Sequence, residues 1–438
     1  MIMKSDFIII NGVLKRYIGN EKNVIIPDEV TKIGDKAFIG CNLITGIIIP
    51  DSVTYIGREA FLRCTSLTAI NIPDSVSHIG EDAFAQCRSL TNIRIPDSVT
   101  CIGKYAFGGC KLLATIKIPD SVVIIENGAF NNCESLKRII VSEGNEQYKD
   151  IDGVLFSKDG TAIIMYPHAH GNSYSIPDGV ACIEEEAFYL CDSLESINIP
   201  DSVTVIRSSA FQCCESLKKI SIPDSVASIE EYAFSDCSSL TSVKMPDSIM
   251  IIEDYVFNEC ISLENINIPD CTKYIGAWAF YDCRSLTSIN IPDGVKRIMF
   301  MAFGNCESLI DINIPDSVVL IENGAFAYCK SLKRINVSKG NKHYKDIDGV
   351  LFSKDGTSII AYPNDRSGCI YSIPDGVTSI EDHAFSECIS LTDITIPDSI
   401  EAIEESAFCG CDGLTITYKY VNYYRDEFYS EFPHLLRG

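Results

Sequence analysis

Along most of the chain the apolar residues recur in one fixed order: Leu-x-x-Ile-x-Ile, then Pro-Asp-x-Val-x-x-Ile, then Ala-Phe-x-x-Cys. Leu286, Ile289, Ile291, Pro292, Asp293, Val295, Ile298, Ala302, Phe303 and Cys306 are one instance. The first segment alternates as a short strand does, with its fourth and sixth positions on one side and therefore facing a core. Proline has no N–H to give to a ladder, so its recurrence after the strand marks where pairing stops and the chain turns. Val and the later Ile continue a buried wall. Ala-Phe-x-x-Cys predicts a short helical or 3-10 turn that closes a coil, with its Phe filling the interior.

The Phe positions set the period. Phe38, Phe61, Phe84, Phe107 and Phe130 are spaced by 23 residues, as are Phe188, Phe211, Phe234, Phe257, Phe280, Phe303 and Phe326, and then Phe385 and Phe408. A fixed period over fourteen copies overrides the roughly three domains that 438 residues would otherwise suggest, because each coil buries its apolar side against its neighbours and the chain grows in one dimension. Stacked coils place equivalent strands about 4.8 Å apart in a parallel sheet. The Asp after each Pro is expected to accept downstream amides in an Asx-type turn. The alternative, a carboxylate ladder for calcium, supplies one Asp per coil where that ion takes about six to eight oxygens.

Two interruptions of 58 and 59 residues between successive Phe positions are copies of each other: YKDIDGVLFSKDGTAIIMYP from Tyr148 to Pro167 and YKDIDGVLFSKDGTSIIAYP from Tyr344 to Pro363. Asp159-Gly160 and Asp355-Gly356 supply the positive-φ residue of a tight turn between two apolar runs, so each copy reads as a β-hairpin. A related start, Phe7 to Leu14 with Asn11-Gly12, opens the chain. The expected organisation is a hairpin cap over 1–23, five repeats over 24–140, a hairpin insertion over 141–175, seven repeats over 176–336, a second insertion over 337–372, two repeats over 373–414 and an aromatic-rich C-terminal cap over 415–438, all in one continuous solenoid. The hairpins either splice and cap the stack, covering a sheet edge, or bind a ligand.

A net charge of -24 argues against nucleic acid and anionic membranes as partners. No stretch reaches the roughly 18 apolar residues of a membrane helix. The first twenty residues carry Lys4, Asp6, Lys15 and Arg16, and their longest apolar run is Phe7 to Ile10; the sequence as it stands is expected to be soluble and to carry no export signal. Fourteen of the twenty Cys hold one repeat position and read as buried thiols rather than bridges. Cys101, Cys182, Cys213, Cys271, Cys369 and Cys409 fall elsewhere, without the spacing of a zinc site. His168-Ala-His170 could offer two ligands, but the sister module has Asn364-Asp365-Arg366 there. Phosphate-loop, nucleophile-elbow and H-E-x-x-H motifs are absent. The carboxylates recur with the coil period, as solvated edges do, so neither a catalytic residue, a metal nor a cofactor is expected.

On each strand the second, third and fifth positions should point away from the core. Over thirteen strands they hold Arg94, Lys117, Lys137, Arg138, Lys218, Lys219, Lys244, Lys333 and Arg334 against Glu195, Glu264, Asp311 and Asp393, a surplus of five positive charges on an acidic molecule. These nine are the candidate ligand-binding residues, for an acidic protein surface or an anionic glycan. The competing reading is that they only offset carboxylates on neighbouring coils.

The repeat closely resembles the treponemal-type leucine-rich repeat of BspA-like proteins, over residues 24 to about 414. The resemblance implies a leucine-rich-repeat solenoid, β-rich with short helical or 3-10 turns and a parallel sheet on its concave face, fourteen repeats of 23 residues interrupted by two hairpin modules. It implies non-catalytic protein binding, with cell adhesion at the surface of the cell as the usual role of the family. A scaffold or receptor that assembles partner proteins inside the cell is the alternative.

Overall fold

The structure, a computed structural model, describes residues 2–4 and 6–437. The chain forms two compact units, residues 1–194 with 209–214, and residues 195–208 with 215–438. Both are parallel β-solenoids, and each coil has three hydrogen-bonded sides.

In the first unit the Leu-x-x-Ile-x-Ile segments give the parallel strands Asn23–Ile25, Gly46–Ile48, Ala69–Asn71 and Asn92–Arg94, followed by Thr115–Ile118 paired with Arg138–Val141. The alternation works as the sequence predicts: Leu90, Ile93 and Ile95 are buried while Thr91, Asn92 and Arg94 are exposed. After each Pro a turn closes through the backbone, Val76 N–H donating to the Pro73 carbonyl at 3.1 Å. The Asp carboxylates of these corners are exposed. Asp74 pairs with Arg94, not with a downstream amide, so the corner does not need the expected Asx bond. Its side-chain contact comes instead from the next residue: Ser52, Ser75, Ser98 and Ser121 each donate a hydroxyl to the Val carbonyl of the preceding coil at 2.6–2.7 Å.

The x-Ile pairs that follow form a second parallel sheet of Lys32–Ile33, Tyr55–Ile56, His78–Ile79, Cys101–Ile102 and Ile124–Ile125. The Ala-Phe-x-x-Cys segment makes the third side. It carries the i→i+3 bonds of a 3-10 turn, Ala83 N–H to Gly80 and Cys87 N–H to Phe84, but residues in left-handed backbone, Asp82 at φ 53° and Gln86 at φ 59°, break the run before it becomes a helix. The same residues turn alternate amides along the stacking direction. Asp82, Phe84 and Gln86 N–H donate to Lys104, Ala106 and Gly108 carbonyls of the next coil at 2.6–2.8 Å. A non-glycine residue in this conformation costs about 1 kcal/mol, which the intercoil bonds offset.

Inside, Phe38, Phe61, Phe84, Phe107 and Phe130 stack in a buried column with centroids 5.0–5.6 Å apart. Beside it runs the cysteine column, in which the Cys64, Cys87, Cys110 and Cys133 thiols donate to the Phe carbonyl of the preceding coil at 3.1–3.3 Å. The second unit repeats the plan. Lys219–Ser221, Ser242–Lys244 and Asn265–Ile266 pair on one side, and Ile251–Ile252, Tyr274–Ile275, Arg297–Ile298 and Leu320–Ile321 on another. Its Phe column runs from Phe234 through Phe257, Phe280 and Phe303 to Phe326.

Each interruption is a three-stranded antiparallel meander, one strand more than the hairpin expected: Tyr148–Ile151, Val154–Ser157 and Ala162–Met165 in the first, and Tyr344–Ile347, Val350–Ser353 and Ser358–Ala361 in the second. The additional turn is Asp152-Gly153, both residues left-handed, which the sequence reading passed over in favour of the turn at Asp159-Gly160. The latter forms too, closed by the Asp159 carboxylate, which accepts Ser157 Oγ–H, Thr161 N–H and Thr161 Oγ1–H. The third strand of each meander rejoins the solenoid, Ile163 pairing with Ile183 and Ile359 with Ile380 in parallel. Tyr166 and Tyr362 then take the place of a column Phe, stacking on Phe188 and Phe385 at 5.0 and 4.9 Å. In the C-terminal segment Val421–Tyr424 turns back along Thr415–Tyr418, the helix Arg425–Glu431 buries Phe428, and Leu436–Arg437 pairs with Ala402–Glu404.

Candidate functional site

All nine basic candidates are exposed. They stand on the outer side of the Leu-x-x-Ile-x-Ile strands because the strand's period of two, locked by the buried Leu and Ile, leaves them no other direction. Four lie in the first unit, Arg94, Lys117, Lys137 and Arg138, and five in the second, Lys218, Lys219, Lys244, Lys333 and Arg334. Strand pairing sets Thr115 beside Arg138 and Lys117 beside Ile140 on adjacent coils, and Lys219 beside Ser242 with Ser221 beside Lys244.

Three of the nine meet a carboxylate within their own unit. Arg94 reaches Asp74 at 2.7 Å, Lys218 reaches Glu195 at 2.5 Å and Arg334 reaches Asp311 at 3.2 Å. Such exposed pairs contribute about 0–1 kcal/mol to stability, but they remove charge from the outward field. Lys117, Lys137, Arg138, Lys219, Lys244 and Lys333 form no ion pair among the described residues. The offsetting role considered for the basic residues therefore accounts for a third of them.

The two Lys-Arg pairs also stand beside the meanders. Ile139 N–H donates to the Gly153 carbonyl and Ile335 N–H to the Gly349 carbonyl, each at 2.8 Å, and Val141 and Val337 N–H reach the Asp150 and Asp346 carboxylates. After the third meander strand the chain crosses back, with Ala169 N–H on the Leu136 carbonyl and Asp365 N–H on the Leu332 carbonyl. His170 Nδ1 thereby lies 3.1 Å from the Lys137 carbonyl, and Arg366 covers the Tyr362 and Tyr371 rings.

His168 is not a ligand paired with His170. It is buried, and its Nε2 accepts Asn132 N–H at 3.0 Å, standing in for the next coil's carbonyl where the turn ladder is interrupted. Burial pulls its pKa down to about 4, partly opposed by a bond to the Leu190 backbone. Asn364 holds the corresponding place in the second meander and donates to the Ser386 and Glu387 carbonyls, so both residues bond the coil that follows, while His168 also receives an amide of the coil before it. All twenty cysteines are thiols, and burial pushes Cys87, Cys133 and Cys329 up to about 12, where they are neither nucleophiles nor metal ligands at neutral pH. No cluster of three or more His, Cys, Asp or Glu is placed to hold a metal among the described residues.

Coils of strand, corner, short strand and turn, with a Leu/Ile/Phe/Cys interior and an outward sheet surface, define a leucine-rich-repeat solenoid. The family profile described as "BspA type Leucine rich repeat region (6 copies)" matches residues 16–137, 56–158, 165–284, 250–367 and 364–433, and the chain belongs to this family. Among solved structures it is similar to a leucine-rich repeat protein from Eubacterium ventriosum, at 26% identity over 79% of this chain and 97% of that one, with a TM-score of 0.63. A leucine-rich cell surface protein from Faecalibacterium prausnitzii is 29% identical over 99% of this chain and 97% of that one, with a TM-score of 0.41. A leucine-rich repeat protein from Bacteroides ovatus is 26% identical over 93% and 94%, with a TM-score of 0.45. Comparison with curated proteins gives no match.

Leucine-rich repeat proteins generally serve as protein-binding scaffolds or adhesins, and those similar to this chain are non-catalytic repeat proteins. No helix among the described residues is long and apolar enough to cross a membrane.

Proposed function

We propose that this protein is an adhesin-like recognition scaffold that holds an acidic protein surface against the outward side of its Leu-x-x-Ile-x-Ile strands. The observation that carries this reading is the set of six basic side chains that meet no carboxylate among the described residues, presented from strands by a molecule of net charge -24. On so acidic a background, selection for solubility alone gives no reason to gather unpaired cations on the strand face of each unit. Complementary charge would steer a partner to that face and fix its register, and rigid strands lose little conformational entropy on binding.

A polyglutamate peptide is the direct probe. The intact protein should bind it with an affinity that falls as salt rises, and Lys117→Glu/Lys137→Glu/Arg138→Glu in the first unit or Lys219→Glu/Lys244→Glu in the second should weaken it by about tenfold or more, each tenfold step being about 1.4 kcal/mol. Unchanged affinity and salt slope in both variants would remove the proposal.

A further inference from the structure

The outward side of the first unit's strands changes character along the stack. The fifth positions of its Leu-x-x-Ile-x-Ile strands stand in one registered column: Ile25 beside Ile48, Ile48 beside Asn71 and Asn71 beside Arg94, with Lys117 on the coil after that. Such a position faces water and is polar elsewhere. In the second unit it holds Ser221, Lys244, Asn267, Asn290 and Asn313. The two isoleucines depart from this on adjacent coils, and both stay exposed, Ile25 at 69% and Ile48 at 61%. Ile140, the other departure in this unit, lies on the strand that the meander joins and is less exposed, at 41%.

Single aliphatic side chains on a surface are ordinary, but two in register form a patch. The fold does not require it: Val24, Ile26, Ile47 and Ile49 already bury the inner side of these two strands. The third positions alongside hold Gly46 and Ala69, paired with each other and too small to shield the isoleucines. From Ile48 to Lys117 is three coils, about 14 Å at the usual strand spacing. Lys137 and Arg138 follow one coil further on, and like Lys117 they meet no carboxylate among the described residues. Between the two ends lie Asn71 and Arg94, and Asp74 neutralises Arg94 at 2.7 Å. The face thus runs from apolar through neutral to cationic.

We infer that the first unit's strand face docks an acidic polypeptide segment that carries a large aliphatic side chain at a set distance from its carboxylates. The inference rests on the binding of an acidic surface proposed above and names the form that partner takes here. An extended chain rises about 3.3 Å per residue, so about four residues cover the distance, and an even separation turns both side chains to the same side. The aliphatic residue is seated against Ile25 and Ile48, over Gly46 and Ala69. The carboxylates four residues on and beyond reach Lys117, Lys137 and Arg138. Charge steers the segment to the face, and the apolar contact fixes its place along the stack. In the second unit, where the fifth positions are polar, Lys219 and Lys244 have no such companion.

The test is fluorescence polarisation with labelled peptides on the full chain carrying Lys219→Glu/Lys244→Glu, which confines binding to the first unit. Hexaglutamate gives the baseline. Peptides with Ser-Gly-Ser between one leucine and the hexaglutamate run, the leucine at either end, are compared with the same peptides bearing serine for leucine and with leucine joined directly to the run. In one of the two chain directions the spaced leucine should tighten binding about tenfold over serine, as burial of an aliphatic side chain predicts. Leucine without the spacer should gain little. Ile25→Ser/Ile48→Ser should erase the gain while leaving binding of the serine peptide and the melting transition unchanged. Equal affinity of the leucine and serine peptides, an equal gain without the spacer, or a gain that survives Ile25→Ser/Ile48→Ser overturns this inference and leaves the charge reading standing. Failure of hexaglutamate to bind removes that reading and this inference with it. Concentration-dependent self-association of the native protein, abolished by Ile25→Ser/Ile48→Ser, would assign the patch to a second copy and would equally overturn it.

Discussion

Phe, Cys and Ile carry the coil because each meets its own kind above and below. Burying one Phe ring fully is worth about 1.5–3 kcal/mol, and the column adds a ring contact on both faces. These positions were legible from the sequence, since a residue repeated every 23 positions can only be repeating one environment. The left-handed residues were not. Lys36, Glu59, Tyr105 and Trp278 adopt φ between 52° and 61°, yet none is a residue that signals such backbone; the strain is sustained by amides bonded to the next coil, which leave no local mark. His168 was misleading for a similar reason, because its role belongs to a gap in the ladder rather than to its neighbours in sequence. It also titrates. Its folded pKa of about 4 lies below the ordinary 6.5, so the neutral form is the one the fold holds; its contribution is fully present above pH 6.5 and is lost as pH falls from there through 4. Urea unfolding of the native protein should lose on the order of 3 kcal/mol more over that window than His168→Asn, which cannot take up the proton. Parallel pH profiles for the two proteins would contradict the assignment.

At the scale of elements, the strand and the place of the corner were legible because alternation and proline act locally, whereas the Asx bond expected at the corner does not form at Asp74. The second sheet was missed: its strands are two residues long, too short to show a period, and exist only through pairing between coils. The meander's first turn was missed in favour of its second, although both have an Asp-Gly pair. Gly153, at φ 88°, sits with the position of a Cβ only 3.0 Å from the Arg138 side chain, whereas Gly40, at φ 70°, has open space around it. Gly40→Ala should therefore cost about 1 kcal/mol, from backbone strain alone. Gly153→Ala should cost measurably more and should loosen the Ile139–Gly153 bond that ties the meander to the strand. Equal losses by chemical denaturation would show that the turn does not press on the strand as described.

At the scale of the molecule, a binding surface made by repetition needs no single pocket, and its sign can differ from that of the whole protein. The basic strand positions were visible in the sequence because outward positions are fixed by the pleat. Their neutralisation at Arg94, Lys218 and Arg334 was not visible, because it depends on which coils are adjacent and on how far a side chain reaches. The claim beneath all of this is that coils stack as equivalent, separately hydrogen-bonded layers. Its most direct test compares two deletions in the second unit. Removal of residues 241–263, one full period, should rejoin matching positions and preserve a cooperative unfolding transition with a modest loss of stability, while removal of 241–252, about half a period, should abolish it by sending core positions to the surface. If both deletions unfold the protein alike, or both are tolerated alike, the stacked-coil account is wrong.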